Sequence, residues 1–334
     1  MPTPNLPGIT DRRIDALLTL LADNSMIVIS GQKIAKEIGV SRSAVWRWTQ
    51  RLRALGVRVK GHPRTGYQLE RVPDVLSPSL LRRSLRNSPF GKRIYHFFKA
   101  GSTNTIAFEL ARAGEPHGTV VLAEEQSAGC GRAGRAWHSE KTSGIYMTVL
   151  LRPAISPVVA PLITMLASLA ICDAVFEETG LAPDLRWPND LLMAGKKFCG
   201  ILTEMHAEPD RVHFVIVGIG VDVNHASMPA ELADVATSLH MITGRTHSRL
   251  QLLVRLLRHL ETYYNRFLTE GPEPILTRFT AVSSFARGKR VRISTARETY
   301  CGTTDGLEPN GLLRVRRDDG RIAVVTSGDV AEAS

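Results

Sequence analysis

Gly129-Cys130-Gly131-Arg132-Ala133-Gly134-Arg135-Ala136-Trp137 is the stretch on which the reading of this 334-residue chain turns. Taken literally it spells G-x-G-x-x-G, which after a strand and before a helix would mark a dinucleotide-binding fold. A strand does precede it, since Thr119-Val120-Val121-Leu122-Ala123 is apolar and β-branched. No helix follows: Arg135 to Ser139 has no apolar period, and Ile145 to Leu151 reads as a second strand. The stretch is therefore a glycine-spaced loop between two strands. Glycines let its backbone turn tightly and approach a ligand. Its two arginines offer planar, permanently charged donors to a phosphate or carboxylate. An anion-handling loop is the functional reading; a plain glycine-rich hairpin is the bland one.

Working outward, Arg186-Trp187-Pro188-Asn189-Asp190 is followed by Gly195-Lys196-Lys197-Phe198-Cys199-Gly200-Ile201-Leu202. Gly101-Ser102-Thr103-Asn104 lies upstream and Gly218-Ile219-Gly220-Val221-Asp222-Val223-Asn224 downstream. With the loop, these five segments in order resemble the signature of the biotin–protein ligases, whose pattern runs D-S-T-N, G-R-G-R-x-G-R, K-W-P-N-D, K-x-A/C-G-I-L and G-I-G-I-N-V-N. The resemblance reaches both ends of the chain and is closest to the members that double as repressors of the biotin operon.

That resemblance implies ATP-dependent activation of biotin to biotinyl-5'-adenylate, then transfer to a lysine of biotin carboxyl carrier protein. Bringing a carboxylate to a phosphate requires fixed positive charge, for which Arg132, Arg135 and Lys197 are the candidates. Lys197 and Arg132 match the catalytic positions. Ser102, Thr103, Asn104, Gln126, Cys130, Gly131, Arg132 and Lys197 match the biotin site. Arg132, Arg135, Trp137, Asn189, Asp190 and Asp222 match the ATP and adenylate site, with Asp190 beside an expected magnesium ion. Trp187 is expected to pack, and Cys199 to be a small core residue rather than a nucleophile. Lys196 matches a less constrained position.

Three residues depart from the pattern. Cys130 stands in place of the first loop arginine, Ala133 in place of another basic residue, and Asp222 in place of asparagine. Asp222 adds a negative charge near the expected nucleotide, which suggests faster release of the adenylate.

The N-terminal region reads as a winged helix-turn-helix. Ile14, Leu17, Leu18 and Leu21 form one helical stripe, and Ser30 to Ile38 a second helix. Gly39-Val40-Ser41 is the turn, and Ser41 caps a third helix from Arg42 to about Leu55. Ala44, Val45, Trp48, Leu52 and Leu55 fall at core-facing positions of that helix. Arg42, Ser43, Arg47, Gln50, Arg51 and Arg53 are left outward, with no acidic residue among them. Val57 to Lys60 and Tyr67 to Leu69 flank a basic tip containing Arg64, a two-stranded wing. Arg42, Ser43, Arg47, Arg51 and Arg64 are the DNA-contact candidates. Of the formal net charge of +10, about +6 lies in the first 75 residues, which suits a polyanion.

The boundaries expected are 1–70 for this domain, 71–282 for an α/β ligase domain and 283–334 for an SH3-like small β-barrel. Arg71 to Pro78 reads as a linker. Ala154 to Phe176 is long and apolar, but its prolines and Asp173 favour a buried helix over a membrane span. Leu250 to Phe267 is a second core helix. The barrel is built from Lys289–Ile293, Thr299–Thr303, Leu312–Val315 and Ile322–Val325, punctuated by glycine turns. Four scattered cysteines without a C-x-x-C pair, and an N-terminus unlike a signal peptide, fit the cytoplasm. No P-loop, H-E-x-x-H or G-x-S-x-G pattern occurs, and the spacing of His206, His213 and His225 is not that of metal ligands.

The function expected is thus a biotin–protein ligase that also represses transcription, with the adenylate as corepressor and a homodimer on operator DNA. A biotin-sensing repressor with decayed catalysis and a lipoate-type acyl ligase remain as alternatives.

Overall fold

In the computed structural model, residues 12–25, 27–54, 56–70 and 74–333 are described. The stripe Ile14, Leu17, Leu18 and Leu21 is buried on α1 (Arg12–Asp23). Ser30 caps α2 (Gly31–Ile38) by accepting from the Lys33 amide, and Gly39 ends it at φ 73°. Ser41 Oγ accepts from Ala44 N at 3.2 Å at the start of α3 (Arg42–Ala54), as expected of a cap. Antiparallel β1 (Val59–His62) and β2 (Gly66–Leu69) make the wing. The face of α3 differs in detail from the reading. Thr49 is fully buried because its hydroxyl bonds Val45 O at 2.8 Å, Trp48 is only half-buried, and Trp46 is 56% exposed. Leu55, and Arg71 to Pro73 of the linker, lie outside the described residues.

The linker reading ends early, because Pro78 opens α4 (Pro78–Ser84) under a Ser77 cap. Proline fits there since the first-turn N–H has no helical partner to lose. The buried Asp15 carboxylate on α1 accepts from the Ser77 and Ser79 hydroxyls and the Ser79 amide, which fastens the winged helix to α4.

The central domain runs β3 (Ile94–Phe97), α5 (Thr103–Arg112), β4 (Val120–Ala123), β5 (Gly144–Leu151), α6 (Pro161–Thr179), β6 (Asp184–Arg186), β7 (Asp190–Met193), β8 (Lys196–Ala207), β9 (Val212–Asp222), α7 (Leu239–Thr243), α8 (Arg249–Glu270) and α9 (Glu273–Val282). Its seven strands lie in the order β3-β4-β5-β9-β8-β7-β6, antiparallel except for β3 beside β4. The central strands are covered on both faces, which is why β5 is a continuous apolar run rather than an alternating one. One face packs on α6, α8 and α9, the other on α5. The α6 segment is apolar and long enough to span a membrane by composition, yet most of it is buried in this core, as the sequence reading expects.

The last strands, β10 (Arg287–Ser294), β11 (Thr299–Leu307), β12 (Leu313–Arg317), β13 (Ile322–Val325) and β14 (Asp329–Glu332), form an antiparallel sheet in the order β13-β12-β11-β10-β14. Four of these were legible. The fifth was not, because Asp329 to Glu332 is short and half polar. The cores of this sheet and the central domain meet at Trp187, which packs with Phe285, Val291 and Leu313 and donates its indole N–H to Gly311 O at 2.9 Å.

Candidate active site

Period-two alternation along β9 builds the site floor. Phe214 and Ile216 face α5, and the next residues on that face are Gly218, Gly220 and Asp222. The apolar face thus stops and a hollow opens. Across the sheet, Gly218 is registered with Thr148 on β5 and Leu202 on β8, and Gly220 with Tyr146 and Gly200. A Cβ on Gly218 would stand 1.9 Å from Asn104 Oδ1, and one on Gly220 2.4 Å from the Trp137 indole. These glycines are there so that side chains can lie flat on the sheet. The resulting cavity has a volume of about 400 Å³.

One end of the cavity is a polar slot at the start of α5. Gln126 Oε1 accepts from the Thr103 amide at 2.8 Å and its hydroxyl at 3.2 Å, while Gln126 Nε2 donates to Ser139 Oγ at 3.0 Å. Thr148 donates to Asn104 Oδ1 at 2.6 Å, and Asn104 Nδ2 donates to Glu204 at 2.8 Å. Ser102 is buried beside them and makes no cap bond. Such an array of fixed donors and acceptors suits a small neutral polar ring. Ser139, Thr148 and Glu204 went unnoticed in the sequence, where nothing ties them to residues 13, 44 and 100 positions away.

The other end gathers charge. Lys197 Nζ lies 2.6 Å from Asp190 Oδ1 and 5.3 Å from the centre of the Trp137 ring. A bulge at Phe198 and a turn at Ala194-Gly195, both with φ > 0, aim Lys197 across β7. Its backbone is pinned to the 235–237 segment by bonds to Val235 O and from Thr237 N. Asp190 Oδ2 accepts from Arg186 at 2.8 Å. Burial works to raise the Asp190 carboxyl, but Lys197 and Arg186 outweigh it and hold it below the usual carboxylate range. Both oxygens of Asp190 therefore face cations, so it does not present itself as the magnesium ligand the motif suggests.

The glycine loop lies between β4 and β5 with no long helix after it, as expected. It folds back on itself through Gly131 N to Arg135 O at 2.7 Å and Trp137 N to Gly129 O at 2.8 Å. Ala133 takes φ 55°. Cys130 is exposed and enters through its backbone bridge to Ala136. Arg132 donates to Asn189 Oδ1 at 3.0 Å and to Gly328 O at 3.2 Å. Arg135 makes a bidentate pair with Asp329 at 2.6 and 2.8 Å. The C-terminal sheet thus reaches the loop arginines, a contact the sequence reading missed with β14.

All the candidate biotin and nucleotide residues line this one cavity. Trp187 does not; it packs, and Cys199 is fully buried with burial pushing its thiol well up. Asp222 stands in a different setting from the one its sequence suggests. Burial drives its carboxyl well above the usual range, with Lys197 opposing.

On the winged helix, Arg42, Ser43, Arg47, Arg51 and Arg64 are all exposed. Arg53 is tied down instead, its Nε donating to Val59 O at 2.8 Å. Trp46 joins the exposed face.

A helix-turn-helix reader joined to an α/β domain whose pocket sets cations beside a polar slot is the make-up of a DNA-binding acyl ligase. The model of the biotin/lipoate A/B protein ligase family matches residues 99–222, and that of an HTH domain matches residues 12–68. Over 316 residues the chain is 37% identical to the bifunctional ligase/repressor BirA of Bacillus subtilis (strain 168), covering 94% of this chain and 97% of that one. It is 33% identical to a biotin–[acetyl-CoA-carboxylase] ligase of Mycobacterium tuberculosis, over 77% of this chain and 97% of that one. The biotin protein ligase from Aquifex aeolicus, solved in complex with biotin and ATP, superposes with a TM-score of 0.63 at 26% identity, over 72% of this chain and 100% of that one. The chain belongs to the biotin–protein ligase family, in its bifunctional ligase/repressor form.

Proposed function

We propose that the cavity joins the biotin carboxylate to the α-phosphate of ATP, releasing pyrophosphate, and passes biotin to a lysine of biotin carboxyl carrier protein. The observation that carries this is the meeting of Lys197 and Arg132 with the Gln126–Thr103–Asn104 slot in a single cavity. The slot orients the ureido ring, and the acyl chain points its carboxylate toward Lys197. Lys197 exchanges part of its pairing with Asp190 for the carboxylate and the developing charge at phosphorus, with Arg132 opposite. Trp137 offers an aromatic face to the nucleotide. Magnesium would arrive on the ATP phosphates, offsetting their charge; the doubly paired Asp190 does not fit a resident ion.

The winged helix reads operator DNA in this proposal, with α3 in the major groove, the Arg64 wing on phosphates, and two chains on a palindrome once the adenylate is bound. The chain would act in the cytoplasm.

The test is incubation with biotin, MgATP and a biotin carboxyl carrier domain, following the mass of the acceptor. Transfer should occur, and Lys197→Ala should slow it by about 10² to 10³-fold. Biotin binding without transfer, and with DNA affinity rising in its presence, would leave a sensor-repressor. Transfer of lipoate in preference to biotin would overturn the substrate.

A further inference from the structure

Three buried polar atoms on the nucleotide end of the site have no hydrogen-bond partner: Asp222 Oδ1, His225 Nδ1 and Trp137 Nε1. Asp222 is 6% exposed and His225 fully buried, and the two facing atoms stand 3.6 Å apart, too far to bond each other. Buried polar groups are almost always satisfied, so this corner is built to be completed by something that enters the cavity Asp222 lines. The entrant is anionic in the proposed function, and an ionised Asp222 would repel it.

We propose that Asp222 serves the bound adenylate as a neutral carboxylic acid, donating a hydrogen bond to an acceptor atom of the nucleotide, and that ligand retention is therefore lost on the alkaline side. This rests on the nucleotide reading of the site. It assigns Asp222 as a positioning residue that does the work of an amide, the group it replaces in the family pattern.

The surroundings support a neutral acid from every side. Along its own segment the nearest titratable group is His225, held down to about 4 by burial, His138 and Arg249, hence an uncharged neighbour. From β5, Tyr146 is a neutral phenol pushed up by burial. Cys199 on β8 is a buried thiol, likewise pushed up, and Glu140 lies in the loop before β5. Among the described residues Lys197 is the cation that opposes the rise of the Asp222 carboxyl, and its Nζ is already 2.6 Å from Asp190. The cation that would keep Asp222 ionised is thus shared with a second carboxylate.

The experiment titrates the affinity for biotinol-adenylate, a stable phosphodiester analogue of the intermediate, by calorimetry from about pH 6 to about pH 10. Wild-type affinity should fall by roughly tenfold per pH unit past a midpoint above neutrality. In Asp222→Asn that slope should vanish, whatever the variant's affinity at neutral pH. Carbon NMR of the aspartate-labelled wild type supplies a readout independent of the variant's folding: one aspartate carboxyl should titrate above neutrality and shift when the analogue binds. A flat wild-type profile, a slope that persists in Asp222→Asn, or no aspartate titrating in that range overturns the assignment. No binding of the analogue at any pH would instead overturn the nucleotide reading itself.

Discussion

Gly218 shows how much of this site depends on an atom that is not there. Asn104 is held from three directions, by Thr148, Glu204 and Leu202 O, in the space a Cβ at 218 would occupy. Gly218→Ala must displace the Asn104 amide, and a shift near 1 Å in a positioning group costs about 10²-fold. The rate of biotin transfer to the carrier domain should fall by that order while the melting temperature moves little. A second residue-scale case is Glu124, fully buried between Arg249 and His96. Burial pushes its carboxyl up, but Arg249 and His96 overcome this and bring it down from 4.5 to about 2. A depressed carboxylate contributes stability above its ordinary value and loses it as the pH falls through the folded one. Glu124→Gln leaves Arg249 buried and half-paired, so it should cost about 3 to 5 kcal/mol at neutral pH. In denaturant titrations the gap between variant and wild type should narrow between pH 4.5 and about 2.

Among the elements, the two that were easiest to read were the most periodic or the most punctuated. The Leu17–Leu21 stripe with the Ser30 and Ser41 caps specified the winged helix almost residue by residue. The site motifs gave Lys197, Arg132 and the Ser102–Asn104 turn, because each is local. What stayed hidden is what pairs across distance: Ser139 with Gln126, Glu204 with Asn104, and the β14 carboxylate with Arg135. No short-range pattern encodes such partners. The raised carboxyl of Asp222 was hidden for the same reason, since it depends on burial by neighbours far along the chain. On α3 the helical period placed Trp48 inward but said nothing of Trp46, which shares the exposed face with Arg47. Arg47→Ala should weaken operator binding and reduce its log–log salt slope by about one. Trp46→Ala should also weaken binding, while changing stability by less than about 0.5 kcal/mol because the side chain is mostly in water.

At the scale of the whole molecule, several polar seams join the reader to the catalyst. Asp15 holds the α4 start, Arg83 on α4 pairs with Asp23 on α1, Arg249 reaches Asp74 in the linker, and Lys141 in the turn before β5 donates to Ala54 O at the end of α3 at 3.3 Å. Asp15→Ala strands the Ser77 and Ser79 donors and should cost about 1 to 3 kcal/mol at the first seam. Scanning calorimetry should then show the winged helix melting as a separate, earlier transition, with the ligase transition in place. If both still melt together, the remaining seams suffice.

Trp187 sits inside the most recognisable motif of the site and yet touches none of the cavity; its indole is spent on Gly311 and the core of the last sheet. The signature by which such chains are known is therefore partly a record of how they are assembled. A protein shortened to its catalytic domain would keep every candidate biotin and nucleotide residue, lose the Asp329 partner of Arg135, and expose a tryptophan beside Asn189 and Asp190. Efforts to miniaturise this ligase, or to splice its last sheet onto another, must carry a matching socket for that ring.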